Sequence, residues 1–184
     1  MIGLAWAVGV VLVLAVALFV DRGLSSPKDP QLLLPDSAAP SLKVKGFDEV
    51  AVRAHPASVA PRGSATKVSC HLLATTPKQQ ARGLMGMTDL HGYDGMVFAF
   101  PSDTTTPFYM RNTPLPLTIA WFNSSGVFEG SADMSPCGDS AGCPLTRPPS
   151  PYRVAIEVQQ GGLADIGIVD GSAIAVGGPC PLSS

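Results

Sequence analysis

Hydrophobic and polar positions divide this chain into three stretches of different character. From Ile2 to Val20 no charged or strongly polar side chain occurs, and Asp21 and Arg22 end the run. A helix over these positions, at ~1.5 Å per residue, spans about 28 Å, close to the ~30 Å hydrocarbon core of a bilayer. The pattern therefore predicts a transmembrane signal anchor over residues 1–21. Residues 22–65 read as a linker, because Pro27, Pro30, Pro35 and Pro40 forbid a continuous helix or sheet and favour an extended chain. Within the linker, Leu42, Val44, Val50 and Val52 fall into two-residue alternation, which allows one early strand over 42–54. Residues 66–180 carry the alternating segments and turn signals of a β-rich globular domain.

In that domain Val68, Cys70, Leu72 and Ala74 alternate as in a half-buried strand. Thr76, Pro77 and Gln79 then form a helix start, with Pro at the first helical position and a capping box. Ala81, Leu84 and Met85 give a short apolar stripe, and Gly86 is the expected stop. An apolar strand over Met96–Phe100 ends at Pro101. Leu117–Phe122 and Val127–Glu129 flank Asn123-Ser124-Ser125-Gly126 as a hairpin. Ser135 to Pro151 reads as a long loop holding two cysteines. Tyr152, Val154, Ile156 and Val158 share one face of a further strand, and Ser172–Val176 forms the last. The expected fold is mainly β (α+β): a small twisted antiparallel sheet or partly closed β-barrel with one or two short helices.

Composition sharpens this picture. The 184 residues include 19 Gly and 18 Pro, which suit short strands and many turns. Only 14% are charged against a usual ~25%, so a solvated disordered chain is disfavoured. Twelve basic and 14 acidic residues give a net charge of -2 with no run of either sign, which excludes the clustered basic face of a nucleic-acid binder.

The four cysteines are Cys70, Cys137, Cys143 and Cys180. Gly138 and Gly142 sit just inside Cys137 and Cys143, so a local bridge closes easily, leaving Cys70 to pair with Cys180. An even cysteine count favours bridges outside the cytosol. Two other readings stay open: a metal site with His91 and Asp139, which lacks a Cys-x-x-Cys pair, and a nucleophilic Cys70 or Cys137, which lacks an identifiable base.

Several segments together point to a family. Ala81-Arg82-Gly83-Leu84-Met85, Asp94-Gly95-Met96-Val97-Phe98, Pro107-Phe108-Tyr109-Met110-Arg111-Asn112-Thr113 and Pro116-Leu117 come first. Met134-Ser135-Pro136-Cys137, Cys143-Pro144 and Ala155-Ile156-Glu157-Val158 follow. In this order they resemble the domain-of-unknown-function family 192 over roughly residues 66 to 178. The resemblance implies a small β-rich domain, often with a signal or membrane segment, and no established reaction. This chain departs from the family pattern at Thr118, where an acidic residue often stands, and at Thr146, where Tyr is common.

Orientation at the membrane has opposing signals. Arg22 and Lys28 follow the apolar run, which by the positive-inside rule would keep the domain in the cytoplasm. The cysteines, the linker and the family resemblance place it outside, as a single-pass extracytoplasmic domain. A cleaved signal peptide is the competing view of the N-terminus, with Ala15-Val16-Ala17 as a small-x-small site.

Few ionisable residues fall inside the family segments, so Arg82, Arg111, Asn112, Asp133 and Glu157 are the candidate ligand pocket. In a functional reading Arg111 holds an anionic group, Asn112 orients it and Glu157 completes a polar pocket. The plainer reading pairs Arg82 or Arg111 with Glu157 or Asp94 to satisfy buried charge, with Asp94 before Gly95 as a turn residue. Met85, Met87, Met96, Met110 and Met134 raise copper binding, although core filling suits them better. Asp133, Asp139 and Glu157 are the carboxylates available for hydrolysis, with no pair placed together by the sequence. No nucleophile elbow, P-loop or dinucleotide fingerprint occurs, and no cofactor is implied. The expected function is a non-enzymatic binding or accessory module of the cell envelope that meets a partner or small ligand. The alternative is an envelope enzyme acting on a sugar or peptide through Glu157 or Asp133.

Overall fold

The computed structural model describes residues 44–56 and 65–181. The apolar run at 2–20 and most of the linker lie outside these residues. Among the described residues no helix is long and apolar enough to cross a membrane.

The structure is mainly β, as the periodicity predicts. One sheet of seven strands runs β6-β5-β8-β3-β2-β1-β9. Its members are β1 (Asp48–His55), β2 (Lys67–Ala74), β3 (Gly95–Thr104), β5 (Leu117–Phe122), β6 (Phe128–Met134), β8 (Tyr152–Gln159) and β9 (Ala173–Val176). Two two-residue strands, β4 (Phe108–Tyr109) and β7 (Leu145–Thr146), pair with each other apart from it. The early strand expected near 42–54 is β1, an interior strand bonded to β2 on one side and β9 on the other.

The sheet curls until its two edges meet. Val127 bridges Ala173, the Phe128 amide donates to the Ser172 carbonyl, and the Ile174 amide donates to the Gly126 carbonyl at 2.8 Å. Gly126 adopts a φ of 76°, and a methyl group there would fall on the Ile174 carbonyl oxygen. The seam therefore requires glycine. Asn123 shapes the preceding turn, its side-chain carbonyl accepting the amides of Ser125 and Val127.

One expectation fails at β2 and β3, which pair in parallel rather than antiparallel. Parallel neighbours need a crossover, supplied by helix α1 (Pro77–Arg82) and the turns after it. The capping box forms as read: the Thr76 hydroxyl accepts the Gln79 amide, and the Gln79 side chain accepts the Thr76 amide. The helix stops at Gly83, whose φ is 47°, one turn before the expected Gly86. Likewise β3 continues through Pro101, because the β3–β8 ladder is irregular between Ala99 and Thr104, where a missing amide costs little.

Alternation divides the apolar residues between the two sheet faces. Inside the curl, Val50, Val52, Val97, Phe122, Val154, Ile156 and Val176 form one core. Outside it, Leu72, Leu84, Met96, Phe98, Leu117, Ile119, Trp121 and Tyr152 form another, covered by α1 and the loops. Tyr152 therefore lies across the sheet from Val154 and Ile156 rather than with them; the irregular ladder shifts its phase.

Both expected bridges are present, Cys70–Cys180 and Cys137–Cys143, with Cα separations of 5.1 and 6.0 Å. The first spans 110 residues and the second 6. Chain-entropy reasoning assigns about 5 kcal/mol to the longer loop and about 2 to the shorter. In urea titrations, replacing Cys70 and Cys180 by Ala should lower stability about twice as much as replacing Cys137 and Cys143. Equal losses would show that native packing, and not loop closure, decides.

Candidate functional site

Strand β8 is flanked by β3 and β5 and covered on both faces. Its register sets Glu157 beside Met96 on one side and Ile119 on the other. Val154, Ile156 and Val158 point into the curl, so Glu157 points to the outer core with Ala155. It is only 4% exposed. No donor among the described residues reaches its carboxyl group, and burial pushes its pKa up to about 8. Gly95 lets β3 pass close to this point, since a methyl group there would fall on the Glu157 carbonyl oxygen.

Above Glu157 lies a cavity of about 340 Å³ between α1, β3 and β4. Ala81, Arg82 and Leu84 form one side, and Phe98, Phe100 and Phe108 the other. The rings brace one another: Phe98 meets Phe108 edge-on at 5.0 Å, and Phe100 meets Tyr152 edge-on at 5.4 Å. The Tyr109 hydroxyl donates to the Ala81 carbonyl and ties β4 to the helix. Arg82 lines the mouth, its Nη1 donating to the Lys45 carbonyl at 3.1 Å and its guanidinium stacked over Phe47. An aromatic-walled concavity with a few polar side chains, Glu157 and Arg82 among them, is a typical small-ligand site.

Of the candidate residues, the structure brings only Arg82 and Glu157 to this cavity. Arg111 is half-exposed on the surface, where its Nε donates to Asp139 at 2.6 Å; it meets neither Glu157 nor Asp94. Asn112 is an exposed turn residue with a φ of 53°, donating its amide to Gly138 and accepting from Gly86. Asp133 sits on β6 opposite Thr118, on the inner-core side of the sheet and so across it from Glu157. The Thr118 hydroxyl donates to Asp133 at 2.6 Å, and Gln160 donates to its second oxygen, which holds that carboxyl below its ordinary value. Thr118 also accepts the Gly161 amide, so the departure from the family pattern there has a structural role. Asp94 accepts the Cys70 amide at 2.7 Å and turns the chain into Gly95. Met87, Met96, Met110 and Met134 pack in the outer core, and Met85 lines the cavity.

Sequence reasoning missed the aromatic wall and a second buried polar group. Phe98 and Phe100 come from β3 and Phe108 from the two-residue β4, and only the folded arrangement of these strands and α1 brings the three rings over Glu157. His71 is fully buried in β2 beside Gly95, across the sheet from the cavity. Its Nε2 lies 2.8 Å from the Ser69 hydroxyl, its Nδ1 has no partner among the described residues, and burial holds its pKa down to about 3. Its signal was the Ser69-x-His71 alternation within β2.

The profile of the DUF192 family, described as an uncharacterized ACR, matches residues 57–176. The chain belongs to this family. Two solved structures share its fold with a TM-score of 0.59. One, from Sinorhizobium meliloti and provisionally described as a transcription regulator, is 22% identical, over 71% of this chain and 95% of its own. The other, a Novosphingobium aromaticivorans protein of unknown function, is 25% identical, over 81% and 97%. No curated protein matches the chain. Family membership thus carries a fold and no reaction, and the chemistry rests on the cavity of this DUF192 domain.

Glu157 and His71 make opposite contributions to pH-dependent stability. With its pKa raised from 4.5 to about 8, Glu157 stabilises the folded state most below pH 4.5 and loses that contribution as pH rises toward 8. With its pKa lowered from 6.5 to about 3, His71 stabilises above pH 6.5 and loses that contribution as pH falls toward 3. Between pH 4.5 and 6.5 the two slopes cancel. Denaturant titrations of wild type and Glu157→Gln should therefore differ by an amount that changes with pH between 4.5 and 8, at a slope of about 1.4 kcal/mol per unit. A difference independent of pH over that window would show that Glu157 is already ionised in the folded state.

Proposed function

We propose that this chain is a non-enzymatic binding module of the cell envelope, anchored by residues 2–20 and exposed on the outer side of the membrane. Its ligand is a small molecule with an apolar body and one polar group presented to Glu157. The observation that carries this reading is the Glu157 carboxyl group, buried beneath an aromatic-walled cavity with no hydrogen-bond donor reaching it among the described residues.

Other features support it. Two disulfides suit an oxidising compartment. The balanced charge offers nothing to a phosphate backbone. The enzyme alternative, acting through Glu157 or Asp133, gains no carboxylate pair, because the two lie on opposite faces of the sheet.

Native mass spectrometry of the full chain, extracted from its own membranes in mild detergent, tests the proposal. A co-purifying species of a size suited to the cavity is expected with wild type. It should be lost with Ala81→Trp, which fills the mouth from an exposed helix position. Labelling intact cells with a membrane-impermeant amine reagent should modify Lys67 and Lys78. No bound species in wild type would defeat the pocket reading, and labelling only after lysis would defeat the exterior location.

A further inference from the structure

The wall and floor of the cavity narrow the ligand class, given the reading above that the cavity is a ligand site. We propose that it takes a small organic ammonium, with the cationic group on the Glu157 carboxylate and the hydrocarbon body along Phe98, Phe100 and Phe108. A carboxyl group that no described residue satisfies is completed by a ligand bringing its own positive charge and donors. Aromatic rings carry negative faces and attract a cation in surroundings from which water is excluded. Here the rings are fixed by their edge-on contacts, so little side-chain freedom is lost on binding.

Among the described residues, the other polar groups around the cavity are committed elsewhere, Gln80 donating to the Ala99 carbonyl. On the same face, β3 and β5 present Met96 and Ile119, which are uncharged. From the loop after β4 comes the Thr113 hydroxyl, which donates to the Arg111 carbonyl. The Tyr109 hydroxyl is committed to the Ala81 carbonyl, and Tyr152, on β8 itself, donates to the Thr106 carbonyl. Arg82, the one cation lining the cavity among the described residues, is turned to the Lys45 carbonyl and Phe47 at the mouth. His71 lies across the sheet and is held neutral by burial.

The proposal has a proton signature. In the empty cavity the Glu157 carboxyl is neutral below about pH 8. An ammonium pairs with the carboxylate, so binding releases one proton to solvent, and affinity rises about tenfold per pH unit up to that point. A neutral hydrogen-bond acceptor would instead use the protonated acid as donor, with no proton released.

Isothermal titration of the detergent-solubilised full chain distinguishes these cases. The probes are 2-phenylethylammonium and its neutral counterpart 2-phenylethanol, titrated at pH 6, 7 and 8 in buffers of differing ionisation enthalpy. The expected result is tighter binding of the ammonium, rising about tenfold from pH 6 to 7 and less from pH 7 to 8, with one proton released per ligand bound at pH 6 and about half a proton at pH 8. Glu157→Gln should remove the pH dependence and weaken binding at pH 8 by tenfold or more, and Ala81→Trp should abolish binding of both probes. A second readout in wild type is the Glu157 carboxyl carbon, labelled for NMR, which should move from its neutral to its ionised shift as the ammonium is added. Equal or tighter binding of the alcohol, or ammonium binding without proton release, overturns the ammonium assignment and leaves the pocket standing. If neither probe binds, the ammonium assignment fails. The pocket itself fails only if the co-purifying species is missing as well.

Discussion

Everything distinctive about this domain depends on β8 being buried on both faces. A strand in the middle of a curled sheet, packed inside against Val97 and Phe122 and outside against Met96 and Ile119, has no wet side on which to hold a polar group. Five of its eight residues, Tyr152, Val154, Ala155, Ile156 and Val158, follow from that constraint, being apolar or small and buried. Glu157 breaks the pattern. A buried ionised carboxylate without partners is very costly, and this one avoids the cost by remaining protonated. The aromatic cavity above it gives the exception a chemical direction.

Much of the fold was legible because it rests on local rules. Two-residue alternation located β1, β2 and β8, turn signals located β5 and β9, and the Thr76–Gln79 pair announced the helix start. The Asn123–Gly126 turn and both disulfides were equally local or combinatorial. What escaped was set by distant neighbours. The parallel β2–β3 pairing depends on how α1 lies across the sheet, and alternation alone carries no information on strand direction. The continuation of β3 through Pro101 depends on an irregular ladder against β8, which has no signature in the sequence of β3 itself.

The candidate site shows the same division. Choosing ionisable residues within family-like segments picked out Glu157, and it equally picked out Arg111, Asn112 and Asp133, whose roles are a surface ion pair, a turn and a cross-strand hydrogen bond. Sequence proximity could not separate these cases, because the difference is dehydration. Two strands flank Glu157 and a helix covers it, whereas Asp133 lies on the edge strand β6 with water beside it. The three phenylalanines, one of them on a strand only two residues long, were invisible as a group for the same reason.

The meeting of β9 with β1 has a consequence for how the chain is made. Of the described strands β9 leaves the ribosome last, yet it covers the free side of β1, brings the sheet edge to the Gly126 seam and precedes the cysteine that joins Cys70. Until it arrives, β1 is an unprotected sheet edge and the inner core is open along one side. The nascent domain therefore cannot close in the order of its synthesis. A chain that stops before β9 would leave an adhesive edge, so any quality control acting on this protein has its clearest mark of incompleteness there.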